Sequence, residues 1–115
     1  MDMQAASPDP RALSKVRDAL LRLYGEARDM GEHQVAYHAL AGVLHAAESL
    51  RQPEVLDQVA ALSREHCKRI DQNEPQHPLS SQSASSRGHQ SIFEQLAATC
   101  AAVRVRLKAE DLIRK

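Results

Sequence analysis

Aromatic side chains are scarce in this sequence: one Phe, two Tyr and no Trp in 115 residues. A core of stacked large rings is thereby excluded. So is a strand-rich fold, because the aromatic and β-branched residues that suit pleated sheets never alternate over a run. A dominant sign of charge is missing as well. Fifteen Lys and Arg balance fifteen Asp and Glu, leaving no overall field to hold a polyanion or an acidic bilayer, so neither nucleic acid nor membrane is expected as a partner. Residues Met1 to Lys15 have no signal-peptide core, and no stretch approaches the roughly 20 apolar residues that span a bilayer. Cysteine is limited to Cys67 and Cys100, far apart and outside any CxxC spacing. They read as buried free thiols of a cytoplasmic protein and not as a disulfide framework.

What is present favours helix. The apolar 43% is built mainly from Ala, Leu and Val, and the small and straight-chain residues among them lose little freedom in a helix. Asp9-Pro10 reads as a helix start, with Asp able to cap free amides and Pro needing no amide hydrogen at the first helical position. Leu13, Val16, Leu20, Leu23, Ala27 and Met30 then follow at spacings of 3 and 4, predicting a helix over about residues 10–30 that Gly31 ends. Ala36, Leu40, Val43, Ala47 and Leu50 predict a second helix over about 32–50, folded back on the first. Pro53 and Glu54 suit a helix start, and Val55, Leu56, Val59, Ala60, Leu62, Cys67 and Ile70 predict a third over about 53–72, with apolar positions wide enough for two neighbours. Residues 73–90, rich in Ser and Pro, read as a linker whose 76–88 stretch should be the most mobile internal segment, because it has little apolar surface to offset ordering. A linker of this length leaves the direction of the next helix open. Ser91 and Glu94 have capping-box spacing and begin a last helix over about 91–113 carrying Phe93, Leu96, Cys100, Val103 and Leu107.

The fold expected is all-α, an antiparallel bundle of four main helices in one domain. Its core should include Leu20, Leu23, Leu40, Val43, Val59, Leu96 and Val103. The small face Ala39, Gly42 and Ala46 invites close approach by another helix, the first or third of this same domain in preference to a partner.

Six histidines raise the question of a metal site. His38 and His45 share a face, but at seven residues apart they are about 10 Å from each other along the axis, too far for one ion. His45 and Glu48 at i,i+3 could share an ion but need further ligands. Counted outward from the turn at Gln52, His38 lies level with His66. These four residues are the metal candidates, and surface or rim positions are the commoner place for such histidines. Cys67 and Cys100 lie in apolar stripes where a thiol is inert packing, and Tyr24 and Tyr37 read as packing residues with hydrogen-bonding tips. No residue set reads as catalytic and no cofactor is implied, so the chain reads as non-enzymatic.

The run from Ala36 to Glu48, followed by a polar turn and a helix ending before Pro75, resembles one tetratricopeptide-type helical hairpin over residues 36–75. Leu40, Ala41 and Leu44 stand at its first-helix Leu, small and large positions, and Ala60 at a small position of its second helix. The resemblance implies binding of a protein or peptide and carries over no catalytic residues. A single copy cannot form the stack that repeat arrays need, so hairpin packing within a closed bundle is expected. The function expected is therefore a protein-interaction module, whether adaptor, chaperone-like or regulatory. The alternative is a metal- or small-ligand-binding bundle using His38, His45, Glu48 and His66. Leu21 and Tyr24 beside the first stripe, and Leu62 beside the third, are the expected interaction surface of a homodimer, since two copies sharing them would bury more apolar area per chain.

Overall fold

The chain turns helical where Asp9 meets Pro10: the Asp9 carboxylate accepts the Arg11 amide at 3.0 Å, and Pro10 is the first residue of α1, Pro10–Asp29. Gly31, with φ of +76°, ends that helix, and the Glu32 amide closes back on the Ala27 carbonyl at 2.9 Å. Only glycine takes this left-handed turn without strain. α2, His33–Leu50, follows at once. Arg51 then takes the left-handed conformation, φ 55°, and Pro53 opens α3, Pro53–Asn73. A six-residue helix α4, Ser81–Ser86, precedes α5, Ile92–Arg114. This computed structural model describes residues 9–114, and among them it is all-α.

The architecture is an antiparallel bundle of four long helices. Ring contacts of Phe93 with Tyr37 and His66 set the start of α5 beside the start of α2 and the end of α3. At the other end, the Arg51 guanidinium binds Glu110 at 2.9 Å, Asp111 at 2.7 Å and the Leu107 carbonyl at 3.3 Å. The direction that the sequence left open is thus parallel to α2 and antiparallel to α3. α2 is the central helix, packed against α1, α3 and α5, whereas α1 packs chiefly on α2 alone. Leu40, Val43, Leu56, Val59, Ile70 and Phe93 are completely buried in one apolar cluster shared by the four long helices. Gly42 receives the Leu20 side chain so closely that a Cβ there would lie 2.9 Å from Leu20 Cδ1, so the small face of α2 serves the domain's own first helix.

Three expectations need correction. Leu23 is not in the core: it is 49% exposed, as are Val16 and Met30 at 51% and 75%. An edge helix with one principal neighbour buries one flank, here Leu20, Leu21, Tyr24 and Ala27, and leaves the rest of its apolar stripe outside. Leu20 and Val103 are only partly buried for related reasons of position, packing against the cluster from its margin. The segment 73–90 is not a bare linker, because α4 lies within it and Ser80, Ala84 and Ser91 flank or form that turn as buried residues. Its serines do structural work that composition conceals: Ser80 Oγ donates to the Pro75 carbonyl at 2.6 Å and accepts the Ser83 amide at 3.0 Å. The Asp71 carboxylate takes the Ser81 amide at 2.7 Å, docking α4 on α3. At Ser91, the bond formed is Phe93 N–H to Ser91 Oγ, 3.1 Å.

Candidate functional site

Residues from four helices and the loop after α3 converge at one end of the bundle. His33 stands at the first position of α2, where the Gly31 turn places it against α3. His66 projects from α3 into the core, 1% exposed, and stacks on Phe93 of α5 with centroids 4.4 Å apart and planes inclined by 11°. Tyr24 of α1, itself 3% exposed, brings its hydroxyl to His66 Nδ1 at 2.9 Å. His66 Nε2 is 2.9 Å from His33 Nδ1, and His33 Nε2 is 2.8 Å from Glu74 Oε2 at the C-cap of α3. His77, in the loop before α4, sets its ring edge-on to that of His33 with centroids 4.8 Å apart.

Hydrogen-bonding capacity orders this chain of groups. The Glu74 carboxylate only accepts, so His33 Nε2 carries a proton toward it. With His33 neutral, Nδ1 accepts from His66 Nε2–H, and His66 Nδ1 accepts from the Tyr24 hydroxyl. Every donor then has an acceptor across four side chains. Burial pushes His66 down to about 4, helped by any positive charge on His33 and by the charges of Arg69 and Arg28, which holds its ring neutral. Glu74 is held below the ordinary carboxylate range by the hydrogen bond from His33. Burial pushes the Tyr24 phenol up, against the charge of Arg28, whose guanidinium lies 5.6 Å from the ring centroid. The surface end of this relay of hydrogen bonds can hold a cation: donor atoms of His33, Glu74 and His77 all lie within 4.8 Å of one another.

A second feature is an apolar groove of ≈ 470 Å³ between α1 and α2, lined by Leu20, Leu23, Ala27, Met30, Val35 and Ala39, with Glu26, Glu32 and His38 at its rim. It contains none of the relay residues.

The four metal candidates read from the sequence are not brought together. His38 is exposed and bonds Gln34 of its own helix at 3.2 Å, and His45 is exposed with Nδ1 4.0 Å from Glu48. Counting levels along the axis matched His38 with His66 but ignored direction. His33 and His38 are five residues apart, about 140° around the helix, and the former is the one that faces α3. His33, Glu74 and His77 were missed because they lie at a helix start, a helix end and a loop, outside any periodic stripe. Of the expected interaction residues, Tyr24 is buried in the relay, and Leu21 and Leu62 are partly buried against the core. Cys67 and Cys100 are buried free thiols, and burial pushes Cys100 up to about 11. Cys67 Sγ lies 3.1 Å from Ser81 Oγ. No described helix is long and apolar enough to cross a membrane. No protein-family model, curated protein or solved structure matches the chain.

Proposed function

We propose that this protein is a non-catalytic interaction module that pairs with a second copy of itself through the α1–α2 groove. The observation that carries this reading is the exposure of Val16, Leu23 and Met30, spaced seven residues apart along α1 and its C-cap, in an edge helix with one principal neighbour. Every second turn of α1 thus leaves a large apolar side chain in water, and Val35, 54% exposed, extends the strip across the groove onto α2. A clustered patch of this kind marks an association surface, whereas scattered apolar residues do not.

A second copy suits the strip because the strip is nearly self-complementary. A two-fold axis through Leu23 sets Val16 of one chain against Met30 of the other, with the two Leu23 side chains at the centre. Charge broadly follows the same symmetry: the exposed Lys15 and Arg22 lie in the first part of α1 and the exposed Glu26 and Asp29 in the second, while Asp18 and Arg28, each ion-paired with a neighbour in sequence, depart from it. Antiparallel pairing sets opposite signs against each other, and parallel pairing sets like against like.

The resemblance of residues 36–75 to a tetratricopeptide-type hairpin supports the same class of function, since such hairpins present helical surfaces to other proteins. Adaptor, chaperone-like and regulatory roles all fall within this reading. Balanced charge argues for a protein partner over nucleic acid, and two buried free thiols suit a reducing, cytoplasmic setting.

Sedimentation equilibrium of the purified chain tests the proposal. The wild type and Val105→Glu, an exposed site on α5, are expected as dimers, and Leu23→Glu as a monomer of unchanged helicity. A monomeric wild type at all concentrations overturns the reading, as does a Leu23→Glu protein that remains dimeric.

A further inference from the structure

We propose that His33, Glu74 and His77 form a binding site for one divalent first-row transition metal ion, of which zinc is the type, and that His66 and Tyr24 are the buried support that orients His33. This goes beyond the interaction reading and does not depend on it, since the site lies outside the groove.

Three donors come from three places: the start of α2, the C-cap of α3 and the loop before α4. Two imidazoles and a carboxylate suit zinc and its neighbours, whereas calcium and magnesium favour oxygen-only sets. His33 Nε2 and Glu74 Oε2 are already 2.8 Å apart. The full set lies within 4.8 Å, wider than the ~3.4 Å between ligands bound tetrahedrally with ~2.1 Å bonds. Closure by about 1 Å falls to Glu74, which is exposed, and to His77, a half-buried loop residue. The ion would tie the two ends of the α2–α3 hairpin to the loop that leads to α4.

The buried side of the site is what separates it from a chance surface cluster. A histidine that binds a metal through one ring nitrogen must offer the other N–H to a fixed acceptor, which sets its tautomer and ring angle. His33 Nδ1 has such a partner in His66 Nε2 at 2.9 Å, and His66 is in turn held by Tyr24 and by stacking on Phe93. The protons balance. Without metal the relay carries them on Tyr24 Oη, His66 Nε2 and His33 Nε2. With metal on His33 Nε2 they lie on Tyr24 Oη, His66 Nδ1 and His33 Nδ1, so the two imidazoles exchange tautomer and no proton is released. The metal takes the place of the proton now shared with Glu74. Three existing bonds change: the His33–Glu74 bond gives way to the metal, the Tyr24–His66 bond reverses so that Tyr24 Oη accepts from His66 Nδ1–H, and the bond from the Leu79 amide to His77 Nδ1, 3.0 Å, is lost. Coordination through Nδ1 displaces that amide, and coordination through Nε2 moves the ring proton onto Nδ1, so either mode releases it.

The test is titration of tag-free protein with Zn²⁺ alone, by calorimetry and by competition with a chromophoric chelator. One equivalent is expected to bind, with the Leu79 amide resonance shifting as the site fills. His77→Ala and Glu74→Gln should each weaken binding by about a hundredfold, and His66→Phe by about tenfold through loss of the acceptor behind His33. His38→Ala and His45→Ala should bind as the wild type does. The proposal is overturned by absence of saturable one-to-one binding, by undiminished binding in His77→Ala and Glu74→Gln, or by loss of binding in His38→Ala or His45→Ala, which would assign the ion to exposed histidines. The His77 and Glu74 variants lie at the surface end of the cluster, so the test does not depend on a core substitution folding.

Discussion

Tyr24 Oη and His66 Nδ1 meet at 2.9 Å across 42 residues of sequence, both buried where the first and third helices flank the second. The bond joins the edge helix α1 to α3, with which it has few other contacts, and it closes the inner end of the relay. Tyr24→Phe removes the hydroxyl and leaves His66 Nδ1 buried without a donor. A stability loss of about 1–3 kcal/mol is expected, larger than for a typical exposed hydrogen bond. Urea unfolding measures it, and a loss below about 0.5 kcal/mol would mean that the bond is not formed in solution.

Acid should weaken the fold through His66. The groups facing its ring are Tyr24 and Arg28 from α1, His33 from α2, Arg69 from its own helix and Phe93 from α5; none is a carboxylate that would favour the imidazolium. In the folded chain His66 stays neutral down to about 4, whereas in the unfolded chain it protonates near 6.5. Above the unfolded value both states bind the same number of protons, so this group adds no slope. As pH falls from 6.5 towards 4 the unfolded chain takes up a proton that the folded chain refuses, and stability declines by up to about 3 kcal/mol. Unfolding curves with chelator present should show this loss for the wild type and a much smaller one for His66→Gln. Parallel curves for the two proteins would rule His66 out as the cause.

Ser63 Oγ is buried and has no hydrogen-bond partner among the described residues. A hydroxyl removed from water without compensation opposes folding, so Ser63→Ala should be neutral or stabilise by up to about 1–2 kcal/mol. Thermal unfolding decides the sign. A clear destabilisation would show that a bound water or a shifted backbone carbonyl satisfies the hydroxyl in solution.

Two leucines of similar sequence context should respond differently to truncation. Leu40 is fully buried in the central helix, and Leu40→Ala is expected to cost about 2–5 kcal/mol by lost burial and a residual cavity. Leu23, half exposed on α1, should cost below about 1 kcal/mol when measured on monomeric protein. Similar losses at both positions would place Leu23 inside a core that the present packing does not give it.

Most of the helical framework is legible in the residues themselves. Asp9-Pro10 and Gly31 mark the ends of α1, and Pro53 and Ser91 mark later starts, because capping and φ restriction act between near neighbours and need no tertiary partner. Periodicity likewise gives α3 apolar positions wide enough for two neighbours, and it packs on α2 and α5, whereas the central place of α2 came only from the packing. The same rule failed at Leu23: a stripe shows which side is apolar but not how many neighbours arrive to cover it. It failed again at residues 73–90, where the partners of Ser80 and Ser81 are Pro75 and Asp71, polar groups that a composition count treats as loop.

The site was the least legible part. Six histidines announced themselves by number, but a pairing over 33 residues between His33 and His66 has no sequence period. The amino-acid sequence alone determined that this chain is helical, about where its four long helices begin and end, and which residues are too apolar to face water willingly, because those preferences act over one or two turns of backbone. Only the tertiary structure decided that α1 is an edge helix, that α5 runs parallel to α2, and that Tyr24, His66, His33 and Glu74 form one line of hydrogen bonds. Those outcomes depend on how four amphipathic helices divide a limited apolar surface among themselves, a choice made by long-range packing and not by local propensity.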